Sequence, residues 1–122
     1  MNTEYHPHRF GKYAEEQVCK YLQRQKLQLV ERNYACRCGE IDLIMRDQDC
    51  IVFVEVRARV GQDFRDSLES VDYHKQHKII RAATYYLQKT GQLNKVFCRF
   101  DVMAVKLQNE QLQFHWVKNA FC

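Results

Sequence analysis

β-branched and aromatic residues concentrate in the middle of the chain. Over 40–46 and 51–59 they crowd both sides of the polar turn Asp47-Gln48-Asp49-Cys50, which is the pattern of a β-hairpin. Ile41, Leu43, Ile44, Val52, Phe53, Val54 and Val56 are apolar on both alternating faces, so the strand pair is expected to be covered on both sides. Residues 27–34 read as an earlier strand and 35–38 as a short turn, making a meander. Two stretches carry helical spacing instead: Phe10, Ala14, Val18, Tyr21 and Leu22 within 9–25, and Ile79, Ala82, Ala83, Tyr86 and Leu87 within 73–89. Asp72 stands as an N-cap for the second, and Gly91 follows its end. The polar stretch 60–70 reads as a mobile loop, and strands over 99–107 and 111–117 close the chain. The whole predicts a single α/β domain over 9–122, a mixed β-sheet of about five strands flanked by helices in the order α-β-β-β-α-β-β, after a loosely ordered lead-in at 1–8.

Charges inside the hairpin change the picture. With the turn centred between Gln48 and Asp49, Asp42 falls opposite Glu55 and Glu40 opposite Arg57. Like charges directly opposed across a strand pair are destabilising, and a divalent cation is an economical way to offset them, because Mg²⁺ is held by one or two carboxylates with waters and phosphates. A one-residue slip would send the two acids to opposite faces. The alternative is a sheet edge in which Glu40, Asp42, Glu55, Arg57 and Arg59 form cross-strand salt links.

A second charge cluster, His74, Lys75, His77, Lys78 and Arg81, occupies the first turns of the later helix. Side-chain charge and free backbone N–H groups suit it to phosphate; the alternative is a solvated helix face. Asp101 interrupts an apolar strand and reads as a structural acid paired with Arg99 or Arg57 rather than a metal ligand.

An acid on one strand followed on the next by Glu-x-Lys resembles the PD-(D/E)xK, or restriction-endonuclease-like, nuclease superfamily. GEIDLI with FVEVR, and RFDV downstream, is similar to the YraN family, a small bacterial group with that nuclease-like fold. The resemblance implies a metal-dependent endonuclease hydrolysing phosphodiester bonds in DNA or RNA, DNA ahead of RNA and branched DNA among the candidates, with Mg²⁺ or Mn²⁺ as cofactor. It implies Glu15, Asp42 and Glu55 as metal ligands, with the Val56 carbonyl as a further oxygen, and Arg57 completing the catalytic set. Glu15 takes the helical acid's place in a GE…A…YL pattern, although Ala14 stands where the family usually has Gly. Arg59, Lys75 and Lys78 are the nucleic-acid-binding residues it suggests. Arg57 replaces the superfamily's lysine; arginine can clamp phosphate oxygens but cannot act as a general base.

Composition adds bounds. A net charge of +4 permits a nucleic-acid partner without requiring one. Six cysteines follow an N-terminus that lacks an apolar secretory core, so reduced thiols in the cytoplasm are expected. Cys36-x-Cys38 lacks zinc-knuckle spacing. No apolar run approaches the roughly 20 residues a membrane helix needs, and no small-molecule cofactor is implied. Alternatives to the nuclease are a non-catalytic nucleic-acid-binding module and a protein–protein adaptor with structural carboxylates. A homodimer would suit branched DNA.

Overall fold

A computed structural model describes residues 7–60 and 63–122; most of the expected lead-in lies outside the described residues. Helix α1 (Pro7–Arg24) opens two residues earlier than expected. Strands β1 (Gln28–Cys36), β2 (Gly39–Asp47) and β3 (Cys50–Val60) follow, then helices α2 (Phe64–Glu69) and α3 (Tyr73–Lys89), then strands β4 (Phe97–Gln108) and β5 (Gln111–Phe121). The five strands form one mixed sheet in sequence order. β3 and β4 run parallel, joined by the helical crossover, while the other neighbours are antiparallel.

Helix α2 corrects the loop expected over 60–70. Asp63 caps it, its carboxylate accepting the Arg65 N–H at 3.1 Å, and Ser67 is buried. Six residues are too few to establish a helical period in sequence. Helix α3 has the expected bounds, and Asp72 accepts the Lys75 N–H at 2.9 Å. Asp72→Ala is expected to cost about 1 kcal/mol, read as a lowered midpoint in urea unfolding; an unchanged midpoint would show the cap to be dispensable.

The core lies in two layers, one on each sheet face. Under α3, Tyr34, Ile41, Ile44, Phe53 and Phe100 pack with Ile79, Tyr86 and Leu87. Under α1, Leu43, Met45, Val52, Val54 and Met103 pack with Val18, Cys19 and Leu22. Tyr21 extends the second layer by stacking on Phe114 at 4.9 Å. All six cysteines are free. Among the described residues, no helix is long and apolar enough to cross a membrane.

Candidate active site where β2 and β3 part

The hairpin has the expected register from Asp47↔Cys50 to Leu43↔Val54. Beyond that pair the ladder stops, so Asp42 does not pair with Glu55, nor Glu40 with Arg57. Instead the Asp42 carboxylate accepts the Val56 N–H at 2.8 Å. A side-chain oxygen thus satisfies a donor that an intact ladder would give to a carbonyl, and the strands separate. Ile41 and Leu43 confirm the break: strict alternation would place them on one face, yet Ile41 packs in the α3 layer and Leu43 in the α1 layer. Asp42 sits where the strand turns over.

That position lets one carboxylate act on both faces. On the α3 side, burial first and then the Asp42 charge push Glu55 up to about 8, with Arg57 and Lys75 pulling against them. On the α1 side, burial first and then Asp42 raise Glu15 to about 7, with Lys12 opposing and Glu40 adding. Glu55 forms a 2.8 Å ion pair with Arg57, both side chains being largely buried. Glu15 lies 3.9 Å from Lys12.

Both folded-state values lie above the ordinary 4.5, so over this range the folded protein binds more protons than the unfolded chain. Stability should therefore fall as pH rises above about 4.5, a fall complete near about 7 for Glu15 and about 8 for Glu55. Glu55→Gln is expected to flatten this profile in urea unfolding without added metal. Parallel profiles for wild type and variant would contradict the assignment.

The structure brings several predicted residues together. Gly39, Glu40, Glu55, Arg57, Lys75 and Lys78 line a cavity of about 260 Å³, so α3 supplies two ammonium groups beside the Glu55–Arg57 pair. Glu15 lines a separate concavity, on the α1 side, with Lys12, Glu16 and Arg32. Arg59 is not among the residues lining either cavity, and its guanidinium donates to the Ala58 carbonyl at 2.8 Å.

Carboxylate oxygens are the donors a hard divalent cation takes, and burial first, then the Asp42 charge, raises Glu15 and Glu55. Among the described residues, however, no three His, Cys, Asp or Glu side chains converge as a ready-made metal cage. Each acid has a protein partner instead: Glu55 has Arg57, Asp42 has the Val56 N–H, and Glu15 has Lys12. The donor set fits the cation chemically, with Glu55 engaged by Arg57 and close enough to Asp42 to feel its charge.

Asp101 has the structural role expected of it. It is fully buried and accepts from Arg99 Nε at 3.1 and 3.2 Å, Trp116 Nε1 at 2.9 Å and the Asn119 N–H at 2.9 Å. Arg99 also reaches Asp47 at 3.1 Å. Sequence reasoning gave Trp116 and Asn119 no role. The β4–β5 register shifts between Phe100 and Val102, and Asn119 takes φ 52°, an irregularity that turns its N–H toward the buried acid.

Residues 14–105 match the profile of "Uncharacterised protein family UPF0102". The chain is 46% identical over 116 residues to a UPF0102 protein of Pseudomonas putida, covering 94% of each. It is 44% identical over 111 residues to one of Nitrosococcus oceani, covering 91% of this chain and 90% of the relative. A UPF0102 protein of Legionella pneumophila is also 44% identical over 111 residues, covering 91% of this chain and 92% of the relative.

Proposed function

We propose that this chain, which belongs to the uncharacterised protein family UPF0102, the YraN family, is a metal-dependent nuclease hydrolysing phosphodiester bonds in nucleic acid. The observation that carries the reading is the position of Asp42, whose carboxylate accepts the Val56 N–H where the strands part and whose charge acts on both Glu15 and Glu55, with Glu55 lining a cavity shared with Arg57, Lys75 and Lys78. Anionic oxygens beside cations, where the sheet opens, are the equipment for gripping a phosphodiester and a cation together.

Glu15, Asp42 and Glu55 would hold Mg²⁺ or Mn²⁺, which when bound supplies charge neutralisation at the scissile phosphate and activation of a water. Arg57 clamps phosphate oxygens, and its permanent charge excludes it as the base. Lys75 and Lys78 on α3 bind the flanking phosphates. Glu55, paired with Arg57 at 2.8 Å, would be freed to hold the cation if a substrate phosphate took the guanidinium.

The test is cleavage of labelled single-stranded, duplex, flapped and four-way-junction DNA, with an RNA strand alongside, in Mg²⁺, Mn²⁺ and EDTA. Glu55→Gln, prepared identically, controls for contaminating nucleases. Metal-dependent cutting by wild type alone is expected; equal cutting by both, or none by either, would contradict the reading. The Glu55–Arg57 pair at 2.8 Å favours a second reading, a module that binds nucleic acid without cutting it. That module would retain salt-dependent binding weakened by Lys75→Ala and indifferent to Glu55→Gln.

A further inference from the structure

A second cavity, of about 240 Å³, lies where the C-terminal half of α3 meets the β1–β2 turn, lined by Tyr34, Cys36, Arg37, Cys38, Tyr85 and Lys89. Its volume is of the order of one nucleoside. The Tyr34 side chain is more than nine-tenths buried, and its hydroxyl has no hydrogen-bond partner among the described residues. A buried hydroxyl left unpaired carries a desolvation cost that is rarely tolerated without a use. Its ring is fixed edge-on against Tyr86 at 5.2 Å. Burial raises its phenol, and Cys36, Tyr85 and Cys38, which line the cavity with Tyr34, act on it together with Glu31, so the hydroxyl lies close to the cavity lining.

The other lining groups point to one ligand chemistry. Arg37 and Lys89 are cations suited to phosphate, and Tyr85, 47% exposed, offers an aromatic face on which a base can stack. The cavity is also continuous in charge with the carboxylate site. Lys78, Arg81, Tyr85 and Lys89 are all exposed and recur at spacings that place them along one face of a helix. Arg81 acts on Cys38 at the second cavity, while Lys78 lines the first. From Lys78 to Lys89 the stripe covers roughly 16 Å of helix axis, the reach of a few nucleotides of extended strand.

We propose that this cavity holds one unpaired nucleotide, its base against Tyr85 and the Tyr34 hydroxyl and its phosphate on Arg37 and Lys89, with the strand running along α3 to the Glu55–Arg57 cavity. This inference rests on the nucleic-acid reading above and narrows its substrate: the strand to be cut carries a single-stranded segment beside the scissile bond. Blunt duplex, whose bases are stacked inside, has no nucleotide free to enter.

The experiment is fluorescence anisotropy in EDTA with labelled oligothymidine of roughly 12 nucleotides, within the usual span of single-strand sites, and a blunt duplex. Wild type is compared with Tyr34→Phe, Tyr85→Ala and Lys75→Ala. Tyr34→Phe keeps the ring and removes only the unpaired hydroxyl, so the fold should survive. Single strand is expected to bind more tightly than duplex. Tyr85→Ala should weaken it by about tenfold, as loss of one stacking platform does, and Tyr34→Phe by a few-fold, with duplex affinity unchanged in both. Lys75→Ala should weaken both nucleic acids. If Lys75→Ala weakens binding while Tyr34→Phe and Tyr85→Ala leave the single-strand affinity intact, the nucleotide cavity is refuted and the nucleic-acid reading stands. If folded wild type binds neither nucleic acid, both fall.

Discussion

Asp101→Ala is expected to lower stability by about 3–5 kcal/mol, the usual result of removing one partner of a buried charge pair. Few single changes in this chain should cost more. The carboxylate is fully buried and gathers donors from Arg99 on its own strand and from Trp116 and Asn119 on β5. Alanine would remove the fully buried acceptor of the Asn119 N–H, the Trp116 indole N–H and one side of the Arg99 guanidinium, and each donor left without a partner away from water carries its own penalty. Against a typical domain stability of about 5–15 kcal/mol, that loss is large enough to leave part of the protein unfolded at physiological temperature. Asp101→Asn keeps one acceptor oxygen but turns an NH₂ toward existing donors, so an intermediate loss is expected. Urea midpoints of the three proteins check the order. If Asp101→Ala unfolds with wild type, Asp101 is not the structural anchor, and a direct role at the site becomes the better explanation of a buried acid.

Asp42→Asn is expected to do the reverse: little effect on folding and a loss of roughly 10³-fold in metal-dependent cleavage, the scale on which removal of one preorganised charge-stabilising group acts. Asparagine retains an oxygen that can accept the Val56 N–H held at 2.8 Å, so the parting of β2 and β3 is kept. What disappears is the charge that acts on both Glu15 and Glu55. Both acids should then titrate closer to the ordinary 4.5, and the protein above neutral pH should be slightly more stable than wild type because carboxylate repulsion is relieved. A drop in cleavage accompanied by unchanged cation binding would assign Asp42 to positioning. A drop accompanied by unfolding would mean that asparagine fails to hold the Val56 N–H.

Much of this was legible in the sequence for identifiable reasons. The hairpin register could be counted because the connection is a tight turn at Gln48 and Asp49, with Gln48 at φ 56°, and a tight turn fixes the pairing of its strands. Helix α3 was bounded by the chemistry of its ends, Asp72 before and Gly91, at φ 71°, after. Asp101 stood out as an acid in an apolar strand, with Arg99 two residues away on the same face of β4. Other features left no periodic trace. Helix α2 is shorter than two helical turns. The end of the ladder at Asp42 depends on a side-chain oxygen replacing a main-chain one, which no hydrophobic pattern announces. Asn119 reaches Asp101 only through a register shift in β5, and the unpaired Tyr34 hydroxyl becomes visible only once α3 is laid over β1.

If Glu15, Asp42 and Glu55 jointly hold a divalent cation, as proposed, thermal unfolding will respond to Mn²⁺. Measured near pH 8, a cation at about 100 times its dissociation constant should stabilise the fold by about 2.7 kcal/mol, a rise in Tm of roughly 10 °C for a domain of this size. The shift should shrink near pH 5, where Glu15 and Glu55 are protonated, and should largely vanish in Asp42→Asn. A Tm that Mn²⁺ leaves unchanged in wild type, or raises equally in wild type and Asp42→Asn, would show that these three acids do not hold the cation together.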